Sequence, residues 1–161
     1  MTKYLVLSDI HNADLQLEMI LEKNRDSQCV VICGDFEMET FDAEEIIRRY
    51  LGKSTDIRMV KGNCDAYYLS FAKIPNEISF SISDKHRAFV THGHLFRANT
   101  EIMSYAAEEK NCDVVLFGHT HIQTDRTEYG LRFLNPGSVR NGNYLTITTD
   151  YSGEMQVELF G

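Results

Sequence analysis

The sequence has no basic cluster: no run of lysine or arginine is longer than Arg48-Arg49. Its 16 basic residues face 24 acidic ones, for a formal net charge of −8. Such a surface offers no electrostatic footprint for duplex nucleic acid or an anionic membrane. If a substrate carries phosphate, its charge has to be met locally, by metal ions or a few placed residues. Nor does any segment approach the roughly 20 apolar residues of a membrane-spanning helix. The opening Met1-Thr2-Lys3-Tyr4-Leu5-Val6-Leu7-Ser8-Asp9 holds one lysine and four apolar residues before an aspartate, too short for a signal-peptide core. The four cysteines (Cys29, Cys33, Cys64, Cys112) contain no Cys-x-x-Cys pair. With no export signal they read as free thiols in a reducing, cytoplasmic compartment. Prolines number only two, and there is no repeat, low-complexity tract or linker. A chain of 161 residues organised in this way reads as one domain over 1–161, large enough to bury a sizeable core.

What is present is a series of short apolar runs that end in polar loops. Tyr4-Leu5-Val6-Leu7 reads as a strand covered on both faces. A helix follows to about Lys23, with Leu17, Ile20 and Leu21 on its buried stripe. Cys29 to Ile32 is a second strand, and Asp42-Ala43-Glu44-Glu45 suggests a capping box opening a second helix. Ile57 to Val60 is a third strand. Glu77–Ile82 and Arg87–Val90 suggest a hairpin turning through 83–86, where His86 reads as a solvated surface residue. A helix over about Glu101 to Lys110 leads into the strand Asp113 to Leu116. After that, alternation over 145–148 and 155–159 predicts an antiparallel hairpin with one buried face. Strands alternating with helices, then strands alone, imply an α/β fold of two mixed sheets packed together.

Five of these strands end in Asp9-x-His11, Gly34-Asp35, Gly62-Asn63, His92-Gly93-His94 and Gly118-His119-Thr120-His121. In open α/β sheets ligands bind beyond the carboxyl ends of the strands, so parallel strands would bring the five loops together. Five of the six histidines lie in these loops. In an extended segment His119 and His121 would point to one side, since strand side chains repeat every two residues. Aspartate, histidine and asparagine are oxygen and imidazole donors, suited to Mn, Fe, Zn or Ni rather than to a closed thiolate site. There are too many for one ion and enough for two. Ions roughly 3.5–4 Å apart suit in-line displacement at phosphorus. Such a pair needs a bridging carboxylate, for which Asp35 is the choice, and the glycines at 34, 62, 93 and 118 allow close backbone approach. Singly, each motif has a plainer meaning: a helix cap, a turn, a core histidine. Five at strand ends point to a dinuclear site.

In this order, Asp-x-His, Gly-Asp, Gly-Asn-x-Asp, His and Gly-His-x-His resemble the calcineurin-like metallophosphoesterase superfamily, over Asp9 to His121. The short chain resembles its small, uncapped YfcE-like phosphodiesterase branch. The resemblance implies a four-layer α/β/β/α sandwich and two divalent ions, manganese first, with iron, nickel or zinc as alternatives. It implies Asp9, His11, Asp35 and His121 on one ion, and Asp35, Asn63, His92 and His119 on the other. His94 would lie close to the substrate phosphate. The implied partner is a small phosphodiester, hydrolysed by a metal-bridging hydroxide; self-association into a homo-oligomer is left open.

One departure matters. The superfamily usually has histidine after the asparagine of Gly-Asn, placed to protonate the leaving group, and here that residue is Cys64. A thiol is a weak hydrogen-bond donor, so protonation would pass to His94, Asp65 or water. Asn135-Pro136-Gly137-Ser138 also resembles a family turn near the site, although a plain Pro-Gly turn is the simpler reading. Two alternatives accompany the phosphodiesterase reading. One is a phosphomonoesterase; the other is a non-catalytic protein-binding scaffold, since a retromer scaffold subunit resembles this branch but has degraded ligand positions.

Overall fold

A computed structural model describes residues 1–161. In chain order the strands and helices are β1 (Thr2–Leu7), α1 (Asp14–Lys23), β2 (Cys29–Ile32), α2 (Thr40–Leu51), β3 (Asp56–Met59), β4 (Glu77–Ser81) and β5 (Arg87–Thr91). There follow α3 (Thr100–Glu109), β6 (Val114–Leu116), β7 (Thr124–Glu128), β8 (Leu131–Asn135), β9 (Tyr144–Thr149) and β10 (Met155–Phe160). They form two five-stranded mixed sheets, ordered β10-β9-β1-β2-β3 and β4-β5-β6-β8-β7. Within the first, β1, β2 and β3 are parallel; within the second, β5, β6 and β8 are parallel. The five loop-bearing strands are thus divided between two sheets, three in one and two in the other.

Period-two alternation assigns the layers. In β1, Leu5 and Leu7 face one way and pack with Leu17, Ile20 and Leu21 of α1 and Ile46 and Ile47 of α2. Tyr4 and Val6 face the other way and meet Val90, Leu116 and Leu134 of the second sheet. The outer face of that sheet buries Phe89, Val115 and Phe133 against Met103 and Ala107 of α3. The result is the α/β/β/α sandwich that the family resemblance implied, with apolar side chains filling all three interfaces.

Three local expectations need correction. Helix α2 starts at Thr40, not after an Asp42 cap, and no side chain caps it from within. Its end is held by a distant loop instead: the Thr40 amide donates to Ser70 Oγ at 2.9 Å, and Glu39 Oε2 accepts from the Ser70 amide. His86 is not a free surface residue, since its ring lies 2.6 Å from an Asp113 carboxylate oxygen and Asp113 also accepts from the Arg87 amide. Finally, the hairpin β7–β8 went unread. Strand β7, Thr-Asp-Arg-Thr-Glu, is a polar edge strand with no apolar alternation, and its partner β8 was hidden behind it.

Leu116, fully buried between the sheets, tests the packing without touching a polar loop. Leu116→Ala should lower the unfolding free energy by about 2–5 kcal/mol, the usual cost of a buried leucine truncation. Urea unfolding should show this as a lower midpoint with an unchanged slope. A midpoint unmoved by the substitution would mean that the sheets are not packed through this residue.

Candidate metal centre

At the ends of β1, β2, β5 and β6 the chain leaves the extended conformation abruptly. Asp9, His11, Asp35, His119 and His121 all have positive φ, between 47° and 67°. This left-handed region is uncommon for non-glycine residues; each costs roughly 1–3 kcal/mol and persists only where the surroundings impose it. Here they do. The Asp9 amide donates to the Gly34 carbonyl and the His11 amide to the Asp35 carbonyl, so the first two loops clasp one another. The expected extended His-x-His is replaced by two left-handed residues, and His119 and His121 fall into different donor groups.

Three such groups exist: Asp9 with His11 and His121, His11 with Asp35 and Cys64, and Asp35 with His92 and His119. In the first, His11 Nε2 lies 3.1 Å from His121 Nε2, and Asp9 Oδ1 lies 3.0 Å from His121 Nε2 and 3.6 Å from His11 Nε2. Donors about 2.1 Å from a common ion sit at such separations from one another. In the last group, His92 Nε2 is 3.2 Å from Asp35 Oδ2 and 3.1 Å from Asn63 Oδ1. Asp35 and His11 each belong to two of the groups, and the group that they share with Cys64 links the other two. All seven donors named from the sequence therefore gather at one place, between the two sheets' loop ends.

The wiring behind the donors favours cations. His92 Nδ1 lies 2.7 Å from the Cys33 carbonyl, and His11 Nδ1 lies 2.9 Å from Glu37 Oε2. In the tautomer with the proton on Nδ1, each ring would donate to that partner and turn an Nε2 lone pair to the cluster, the usual arrangement behind metal-binding histidines. Without a cation, His92 Nε2–H can donate to Asp35 instead. Asp9 Oδ2 accepts from Ser8 Oγ at 2.6 Å and from the His119 amide at 3.0 Å. Its Oδ1 is buried and makes no hydrogen bond of good geometry, with the His121 and His11 ring nitrogens near it, at 3.0 and 3.6 Å. A buried carboxylate oxygen without a well-made hydrogen bond is costly, and a cation shared with those nitrogens would relieve it. The donor chemistry and this orphaned oxygen together fit divalent metal.

Charge follows the same plan. Burial works against ionisation of Asp35, but the His92 hydrogen bond and charge and the Cys64 amide outweigh it and hold its pKa at about 2. His92 is raised in turn, because Asp35 more than offsets the effect of burial. His119 and His94 are both lowered, by burial first and then by His92 nearby.

The three candidates for leaving-group protonation fare differently. Asp65 lies beneath the site, fully buried, and its carboxylate accepts from the amides of Asp35, Phe36, Glu37 and Gly62. It builds the loops and does not face the opening, which corrects its expected place among proton donors. Cys64 is partly exposed at the cluster, but burial and the Asp35 carboxylate push its thiol up to about 12. His94 stands 5.4 Å from His92 and 6.3 Å from His119 between ring centres, with a buried, unpartnered Nδ1.

Ser8 and Glu37 support the site without a sequence signal, and the turn after β8, for which a plain Pro-Gly turn is the simpler sequence reading, supports it too. That turn is more than a connection: Ser138 Oγ donates to the Asp9 carbonyl, and Asn135 Nδ2 donates to the Gly118 carbonyl and Thr120 Oγ1. No local pattern marks Glu37, because its partner His11 lies 26 residues away, and a serine beside Asp9 carries no signal of its own although the two are hydrogen-bonded neighbours. Two glycines are required by crowding. A Cβ on Gly62 would overlap the Asp35 carboxylate, and one on Gly118 would overlap Ser8 Oγ.

Comparison with known proteins agrees with this geometry. The calcineurin-like phosphoesterase superfamily domain matches residues 2–150. The probable metallophosphoesterase YsnB of Bacillus subtilis is 32% identical over 139 residues, 84% of this chain and 74% of its own. The phosphodiesterase YfcE of Escherichia coli K12 is 30% identical over 152 residues, 86% of this chain and 80% of its own. Vacuolar protein sorting 29 from Cryptosporidium parvum superposes with a TM-score of 0.75, covering 99% of this chain and 96% of its own. At 14% identity that likeness concerns the fold alone.

Removing a shared donor should cost more than removing a terminal one. Asp35→Ala takes a carboxylate from two donor groups, whereas Asn63→Ala removes an oxygen that faces His92 alone. Elemental analysis after manganese loading and desalting should find Asp35→Ala depleted of both ions and Asn63→Ala retaining one. Two ions per chain in Asp35→Ala would show that Asp35 is not the bridge.

Proposed function

Since the chain belongs to the calcineurin-like phosphoesterase superfamily, we propose that it is a cytoplasmic, dinuclear phosphodiesterase that cleaves small phosphodiesters, with manganese as the working metal. The observation that carries this reading is the intact donor set, with the buried Asp9 Oδ1 facing imidazole nitrogens but making no well-formed hydrogen bond. Bound divalent ions supply an activated water and neutralise charge that develops on the phosphate during in-line displacement. Asp9, His11 and His121 would hold one ion, Asn63, His92 and His119 the other, and Asp35 both.

The remaining residues determine what the site can do with protons. Burial and the neighbouring histidines hold the pKa of His94 down. A neutral His94 suits hydrogen bonding to a phosphate oxygen better than full proton donation. Asp65 is committed to backbone amides, and the Cys64 thiol is far too weak an acid for the task. Water is then left to protonate the departing oxygen, which favours esters whose alkoxide or phenoxide leaves readily. A scaffold role is disfavoured by the same donor set, because a binding surface has no use for two buried carboxylates. The wide opening beside His94 favours a diester over a monoester.

Activity should vanish on chelation and return with manganese or a neighbouring transition ion, measured with bis(4-nitrophenyl) phosphate. Full turnover by a thoroughly demetallated sample would overturn the mechanism.

Position 64 gives a separate test. A well-placed general acid contributes roughly 10²–10⁴-fold. If the thiol contributes none of this, Cys64→Ala should lose less than tenfold in kcat/KM at equal metal content. Cys64→His should gain, most on diesters with poor leaving groups. A collapse in Cys64→Ala as deep as that of a ligand variant would make the thiol essential.

A further inference from the structure

A groove opens directly beside the donor cluster. It encloses about 440 Å³, and Asn63 and His94 are part of its lining. A phosphate group needs far less room than this. The groove's far wall comes from two consecutive 3-10 turns, Asn63–Tyr67 and Leu69–Lys73, which place Tyr68, Leu69 and Ala72 against it. On its polar side stand Lys61 and Asn76. Neither side chain makes a hydrogen bond or ion pair within the protein, so both are free to meet a ligand.

The wall is rigid where it matters. Tyr68 Oη donates to the Glu37 carbonyl at 2.9 Å, which fixes the ring. Phe71, between Tyr68 and Ala72, is 2% exposed and packs edge-on against Phe36 at 5.0 Å between ring centres. Glu37 also faces His11, so the aromatic wall and the donor cluster share one support. By contrast, Leu69 is 89% exposed, an apolar side chain held in water beside the opening.

We propose that this groove binds one ester arm of the substrate, and that the arm is a flat, amphipathic group the size of a nucleoside. The inference rests on the phosphodiesterase reading, which places the phosphate at the donor cluster. From there one arm passes His94 and lies along Tyr68, Leu69 and Ala72. Pockets of this size, apolar with a few convergent polar groups, bind ligands of that class. A planar base presents a face to the apolar wall and an edge of carbonyl and ring-nitrogen acceptors to Lys61 and Asn76. In a chain of net charge −8, Lys61 also provides the groove's cation for an electron-rich ligand. A purely aliphatic arm would leave both donors unpaired, and a second inorganic phosphate would leave the apolar wall uncovered.

The test is direct binding of one-armed ligands to the manganese-loaded chain, read by titration calorimetry. Adenosine 5′-monophosphate and methyl phosphate carry the same anionic head, so their affinity ratio reports the arm alone. The monophosphate of the nucleoside should bind at least tenfold more tightly. Ala72→Trp, which fills the groove from an exposed position, and Lys61→Ala should each bring the ratio to within threefold of one. Circular dichroism and metal content verify that both variants are folded and loaded. Equal affinities in the parent chain, or a ratio that survives Ala72→Trp, would overturn the groove assignment while hydrolysis of diesters still stood. Tight, groove-dependent nucleotide binding by a chain that hydrolyses no diester with any metal would instead overturn the phosphodiesterase reading.

Discussion

Two buried carboxylates held close together are the constraint from which the rest of this structure follows. Asp9 is fully buried and Asp35 nearly so, and both face the same histidines. Left alone, such groups would repel one another and take up protons. Donors are instead placed around part of each: Ser8 Oγ and the His119 amide on Asp9, and on Asp35 the Cys64 amide and His92, which hold its carboxyl low against the effect of burial. What remains bare faces inward. The stabilisation is deliberately incomplete in the direction where the imidazole Nε2 atoms also point, and cations complete it.

The fold supplies the rigidity that this incompleteness demands. Five left-handed non-glycine donors would relax if their loops were free. They are prevented by bonds that run between strand ends and between sheets: Asp9 to Gly34, His119 to Asp9, Ser138 to Asp9, and the four amides gathered by Asp65. Asp65 shows the economy of this layout. One carboxylate beneath the site fixes the β2 loop and the start of the first 3-10 turn together. It thereby sets Asp35 and Asn63 without touching either side chain. Burial pushes its pKa up, while the backbone hydrogen bonds oppose that and favour the ionised form.

The donors were legible in the sequence because each is a polar residue of ligand type at the end of an apolar run. That signal is local. The supports were not legible, since Glu37 and His11 are 26 residues apart and Ser138 and Asp9 are 129 apart. The same distinction governs the fold. Buried strands such as β1 and β2 announce themselves by composition, whereas the exposed edge strand β7 is held by pairing alone and carries no pattern. Helix α2 begins three residues before the start that an Asp42 cap implies, because its first amide is held by Ser70, on another loop. Periodicity even gave a plausible but incorrect geometry at the centre. The His-x-His spacing suggested an extended segment, and the left-handed backbone divides its two rings between two donor groups.

A vacuolar protein sorting protein shares this fold, so layers and topology alone do not tell an enzyme from a protein-binding scaffold. The difference lies in what the strand ends are required to hold. A binding surface is best served by relaxed loops and neutral, well-paired side chains, and would be more stable without Asp9 Oδ1 bare, without five strained donors, and without two glycines forced by crowding. Each of those features costs folding free energy and returns it only when cations are bound, through the stabilisation that any ligand of the native state confers. The groove beside them extends the same logic outward. Its aromatic wall is fixed through Glu37, a residue that also orients His11, so the surface that would receive a substrate is built on the support of a metal donor. One residue, Glu37, thus supports both the wall of the groove through its carbonyl and a donor of the cluster through its carboxylate.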